Sequence, residues 1–224
     1  MLIPSSIGRK LVMSISGIFL VLFLTFHSIM NFVVIISPSI YNAICGFLGA
    51  NWYALAGTAV LAAGFIIHIF FAVWITLQNR YARGKDRYAI TQRQEGVTWA
   101  SKNMFVLGLI VVCFLVLHFY NFWYRMQFAE ITGIHTGMFD PSDGAAYAQH
   151  LFSCWIYCIV YIVWIFFLWL HLTHGVWSAL QTLGLNNNTW LPRIKFIGNI
   201  VATIVCIMFM SVPVYFLIIN LFYK

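Results

Sequence analysis

Gly17-Ile-Phe-Leu-Val-Leu-Phe-Leu-Thr-Phe-His27 is an apolar run that ends on an ionisable ring. A run of this kind, flanked by further apolar residues, reads as part of a membrane-spanning helix. An imidazole inside such a helix is costly in lipid, and it is usually retained where it has a partner or a function. The same arrangement recurs three times along the chain. His68, His118 and His171 each sit well inside a long apolar stretch, giving one such ring in each of four helices.

Composition agrees with a chain solvated mainly by lipid. Of its 224 residues 62% are hydrophobic and 8% are charged, against about a quarter charged in an ordinary soluble domain. The net charge of +7 sits in short loops between apolar runs, where basic residues act as topology signals rather than as a nucleic-acid patch. Cys45, Cys113, Cys154, Cys158 and Cys206 show no paired CxxC spacing. They suggest neither a disulfide framework nor an iron–sulfur site within this chain. Arg9 and Lys10 precede the first apolar run as in a secretory signal, but that run is too long for a signal core and holds His27, so it reads as a retained span.

A spanning helix needs about 20 mostly apolar residues. Five stretches qualify, at roughly 11–36, 52–78, 103–128, 150–182 and 196–222. The expected fold is therefore all-α, a single integral membrane bundle of five transmembrane helices, with no internal repeat and no soluble domain between spans. Ten basic residues fall on one side: Arg9, Lys10, Arg80, Arg83, Lys85, Arg87, Arg93, Lys102, Arg193 and Lys195. Only Arg125 and Lys224 fall on the other. The positive-inside rule then sets the N-terminus in the cytoplasm and the C-terminus outside. The basic loop after the second span suits anionic lipid headgroups or a docked soluble partner. The loop at about 129–149 is acidic, carries a Pro-Ser-Asp-Gly turn signal and is expected along the outer surface.

Helix geometry sorts the four histidines by depth. At 1.5 Å per residue, His27 lies ~25 Å from Lys10 and His118 ~24 Å from Lys102, whereas His68 lies ~18 Å from Arg80. His171 is deep in a helix running inward, about a dozen residues before Gly184. Two levels with two imidazoles each meet the requirement for stacking two bis-histidine haems across a bilayer. A bond from each ring to neighbouring backbone is the alternative reading, but it does not account for the pairing by depth. A proton relay is weakened because the spans contain no Asp or Glu. Imidazole also suits zinc and copper, yet a tetrahedral zinc site would gather its ligands at one depth. Small residues near the ligands (Ser14, Ser16 and Gly17 in the first span, Gly57 and Gly64 in the second) leave room for a flat macrocycle, and equally serve helix packing. Haem iron held by two histidines favours electron transfer.

Three histidines remain. His174 is three residues after His171, so spacing alone leaves either as the ligand. His135 is expected in the outer loop, and His150 near the outer start of the fourth span, within reach of a headgroup or quinone. The aromatic cluster Phe119-Tyr120-Asn121-Phe122-Trp123-Tyr124 reads as an interfacial belt that also suits stacking on a quinone ring.

The layout and these residues resemble the dihaem cytochrome b (b558-type) membrane-anchor subunit of succinate:quinone oxidoreductases, the succinate dehydrogenases and fumarate reductases. The resemblance covers essentially the whole chain. Its most specific signal is His171-Leu-Thr-His174-Gly175-Val-Trp177-Ser178, similar to the family's histidine, three residues, glycine, aromatic pattern. That pattern selects His171 over His174. The resemblance implies a distal haem b held by His27 and His118 and a proximal haem b held by His68 and His171. It also implies menaquinone as the quinone, with FAD on a flavoprotein subunit and iron–sulfur clusters on a second partner. The assembly would lie in the bacterial inner (cytoplasmic) membrane, where two heterotrimers can pair as a dimer. Arg9, Lys10, Ser14 and Ser16 are candidates for haem propionate contacts.

One position departs from the family. Some members carry a glutamate two residues before the fourth-span ligand, implicated in proton transfer; here that residue is Trp169. Two other readings stand beside this one. A cytochrome b subunit of another membrane oxidoreductase, of hydrogenase or formate dehydrogenase type, would also carry haem, although cytochromes of the bc type place two ligands on one helix and no helix here does. A haem-free transporter would be colourless, and broken helices would support it.

Overall fold

Ser37 ends one helix and starts the next. The computed structural model describes residues 5–83, 98–134 and 136–222. Helix α1 (Ser6–Ile36) begins at Ser5, whose side chain accepts from Gly8 N at 2.9 Å, and stops at extended Ser37 because Pro38 follows. Ser37 caps the short α2 (Pro38–Phe47), with Pro38 at its first turn. Helix α3 (Trp52–Arg83) returns to the starting end of the bundle. A single capped turn, α4 (Trp99–Lys102), precedes α5 (Met104–His118), which runs on as a π-helical turn over Phe119–Trp123. Two short helices follow, α6 (Gln127–Thr132) and α7 (Gly144–Phe152), and then α8 (Trp155–Thr182) and α9 (Trp190–Phe222).

Five of these helices are long and apolar enough to cross a membrane, which is the expected all-helical architecture: Ser6–Ile36, Trp52–Ala82, Met104–Trp123, Trp155–Thr182 and Trp190–Phe222. Their ends differ from the sequence expectation for local reasons. The third stops at Trp123 rather than 128, because Met126 leaves helical geometry (φ −109°, ψ −92°). The fourth starts at Trp155 rather than 150, since Cys154 is extended, so His150 belongs to α7 instead. The fifth starts at Trp190 rather than 196, where Asn187 Oδ1 accepts from Trp190 N at 2.8 Å.

Packing is tightest between α8 and α9, and α1 touches α3, α8 and α9 in turn. Gly198 and Ala202 let α8 and α9 approach closely: a Cβ on Gly198 would lie 3.3 Å from Trp177 N. Helix α3 leans on α1 and makes little contact with α5. Large apolar side chains such as Ile66, Val116 and Ile207 point outward, as a lipid-facing surface requires. Basic side chains meet at one end, each over an aromatic ring of a neighbouring element or its own: Arg9 over Trp74, Arg80 over Phe105 and Lys195 over Trp177. Arg125 lies over Tyr120 at the far end. Lys85, Arg87, Arg93, His135 and Lys224, and the side chain of Arg83, lie outside the described residues.

Candidate cofactor site

The gap between α3 and α5 is part of one large cavity of about 2100 Å³ that runs the length of the bundle. Ordinary small-molecule pockets reach ~1,000 Å³, so this one is sized for more than one large ligand. Its walls are mainly apolar, and His27, His68, His118 and His171 all line it.

The level nearer α2 and α7, the outer one in the expected orientation, is built from α1 and α5. His27 and His118 have ring centroids 6.0 Å apart with planes nearly perpendicular at 87°. Two ring nitrogens bonded to one metal at ~2 Å each would set their centroids at about this separation. Side chains hold both rings. Phe23 stacks on His27 at 5.2 Å and Phe209 of α9 packs at 5.7 Å. Phe122 and Trp164 pack on His118 at 5.3 and 5.5 Å. The π turn that follows His118 carries Asn121 inward, where it is buried and donates to Tyr161 Oη at 3.1 Å.

The inner level is built against glycines. A Cβ on Gly17 of α1 would lie 3.3 Å from His68 Cε1, and one on Gly108 of α5 would lie 3.4 Å from His171 Cε1. Gly17 and Gly108 each precede an outer histidine of the same helix by ten residues, a rise of ~15 Å. The four rings therefore occupy two levels, one pair at each.

Hydrogen bonding around the rings is uneven. Ser16 Oγ lies 3.3 Å from His68 Nδ1, and Asn31 Nδ2 lies 3.3 Å from His27 Nδ1. His118 Nδ1 and His171 Nδ1 are buried with no hydrogen-bond partner among the protein groups. A metal-ligating histidine normally coordinates through one nitrogen and gives the other's N–H to an acceptor. The apolar cavity, the paired rings and the glycine cradles fit a flat metal macrocycle at each level. Among the described residues no three His, Cys, Asp or Glu side chains converge as a metal ion held by protein alone would require, whereas a haem needs two.

The propionate candidates divide. Lys10 and Ser14 line the cavity near its basic end, and Ser14 Oγ is bonded to Lys10 O at 2.9 Å. Arg9 is instead packed over Trp74, and Ser16 sits behind His68 rather than on the cavity wall. His174 lines the cavity beside His171, with Trp177 edge-on to it at 4.8 Å and its Nδ1 buried without a partner. His150 is exposed, next to Phe139 and off the cavity wall. Trp169 donates to Thr203 Oγ1 of α9 at 3.1 Å, a helix-joining bond. Gly57 lines the cavity, whereas Gly64 makes room for the Phe19 ring.

Sequence reasoning missed Gly108, Asn31, Tyr161 and Trp164. Only Gly108 left a signal, since it repeats on α5 the glycine-to-histidine interval of Gly17 and His27. Compared with family models, curated proteins and solved structures, the chain matches none.

Proposed function

We propose that this chain is the dihaem cytochrome b anchor of a succinate:quinone oxidoreductase, with menaquinone as the quinone, in a bacterial cytoplasmic membrane. The observation that carries this reading is the two-level pairing: His27 against His118, with His68 and His171 ten residues inward on the glycines of the same two helices. The sequence resemblance adds the identity of the complex.

Haem iron ligated by two histidines would supply one-electron transfer. The chain's own residues do the rest. His27 and His118 hold the distal group and His68 and His171 the proximal one. The apolar wall keeps bulk water from both. Lys10 and Ser14 are placed to meet carboxylates at the basic end. That end, with Arg9, Arg80, Arg193 and Lys195, faces the cytoplasm in this reading and receives the iron–sulfur and flavoprotein subunits. Succinate or fumarate chemistry belongs to those partners.

The test is a dithionite-reduced minus oxidised spectrum of the purified complex, with pyridine haemochrome quantification per chain. Two haems b are expected, falling to one in both His27→Ala and His118→Ala. A colourless protein would overturn the reading and favour a transporter. Two haems without succinate dehydrogenase or fumarate reductase partners would move it to another membrane oxidoreductase.

A further inference from the structure

One helix touches the back of a ligand histidine at each level, and it does so with groups of opposite hydrogen-bonding character. At the inner level Ser16 Oγ donates its only proton to Met13 O at 3.0 Å. Toward His68 Nδ1, 3.3 Å away, the hydroxyl can therefore offer only a lone pair. That lone pair requires the proton to sit on His68 Nδ1, which leaves Nε2 with its lone pair free.

At the outer level the polarity is reversed. Asn31 Nδ2 donates to His27 O at 2.8 Å. That bond fixes which end of the amide is the nitrogen, because a carbonyl accepts and an oxygen there would meet another oxygen. Tyr41 Oη donates to Asn31 Oδ1 at 3.3 Å, in keeping with the same orientation. The second Nδ2 hydrogen is then available to His27 Nδ1 at 3.3 Å, which must accept. The ring proton is directed to Nε2.

We propose that α1 sets the two levels in opposite imidazole tautomers, His68 with its proton on Nδ1 through Ser16 and His27 with its proton on Nε2 through Asn31. Ser16 and Asn31 are positioning residues. The inference rests on the cytochrome reading for its use, but the tautomers themselves belong to the protein. His68 stands ready to ligate through Nε2.

Nitrogen-15 NMR of the full chain, labelled on histidine and reconstituted haem-free in lipid bilayers, tests this directly. His27→Gln and His68→Gln spectra assign the two rings by loss of their signals. The expected result is a protonated Nδ1 in His68 and a protonated Nε2 in His27. Ser16→Ala should convert His68 from one tautomer to a mixture, while Ser16→Thr, which keeps the hydroxyl, should preserve it. The same tautomer in both rings, or no response of His68 to Ser16→Ala, would overturn the proposal. Absence of haem in the native complex would sink the cytochrome reading and leave these spectra interpretable.

Discussion

The outer and inner halves of the bundle hold their histidines by opposite means. At the outer level rings are packed by other rings: Phe23 and Phe209 on His27, Phe122 and Trp164 on His118. Beyond them α2 and α7 close that end, joined where Asn42 Nδ2 donates to Asp143 Oδ1 at 2.7 Å and Ala145 N donates to Asn42 Oδ1 at 2.8 Å. At the inner level the rings are accommodated by missing side chains, Gly17 opposite His68 and Gly108 opposite His171. Positive packing fixes a ring where mass can be added around it. A glycine fixes it by letting the neighbouring helix come close, and that arrangement leaves little room for added atoms.

The largest effect should follow from filling the inner level. Gly17→Leu or Gly108→Leu puts a branched side chain where a single Cβ already lies 3.3–3.4 Å from the imidazole. Haem per chain should fall from two to one, with the outer level retained. Gly46→Leu is the control, because a Cβ there meets nothing within 4 Å and Gly46 is off the cavity wall. Pyridine haemochrome assays read all three. Loss of both haems would show that the levels are not independent and break the comparison.

Truncating the outer rings should cost less. Trp164→Ala removes a ring packed on His118, Phe114 and Tyr161. Such deletions cost ~3–5 kcal/mol in soluble cores; the cost is smaller in lipid, where packing rather than water exclusion drives association. The outer haem band should bleach at lower temperature while the inner one stays. Equal bleaching of both would show that packing around His118 does not act locally.

Smaller still is the effect at the cap of α7. Asp143→Ala removes an acceptor from Ala146 N at 3.0 Å and from Asn42, a loss of ~1 kcal/mol for the cap alone. Limited proteolysis from the outer side should cut faster between α6 and α7, with haem content unchanged. Unchanged cleavage would mean that the α2–α7 contact does not hold the cap closed.

Much of this contrast was legible in the sequence, and the part that was not has physical causes. The spans follow from apolar length alone, and the two histidine levels from rise per residue. Helix ends were misplaced where a backbone break, as at Met126 and Cys154, falls inside a run that stays apolar on both sides. The π turn at Phe119–Trp123 is a matter of backbone register and leaves no compositional trace. Asp143 and its Pro-Ser-Asp-Gly turn did mark the outer loop, but the partner Asn42 is 101 residues away. Ser16 was read as a propionate contact because depth is visible in a sequence, whereas the face a side chain takes on a helix depends on which neighbour it meets.

The finest test of the outer cap is chemical. Cys45 of α2 lies against Gly144 and Tyr41, and burial pushes its thiol up from 9 to about 11. At pH 8 its thiolate fraction is then ~100-fold below that of an unperturbed thiol. A more basic thiolate is intrinsically more nucleophilic, which returns roughly tenfold and leaves a net deficit of about tenfold. The sign follows from the raised value: reactivity is low below it and climbs as pH approaches it. Maleimide-type alkylation of Cys45, followed by peptide mass spectrometry, should rise about tenfold per pH unit from 8 to 10 without levelling. Exposed Cys154 provides the internal comparison within the same sample. A plateau for Cys45 near pH 9 would show that the α2–α7 cap admits water.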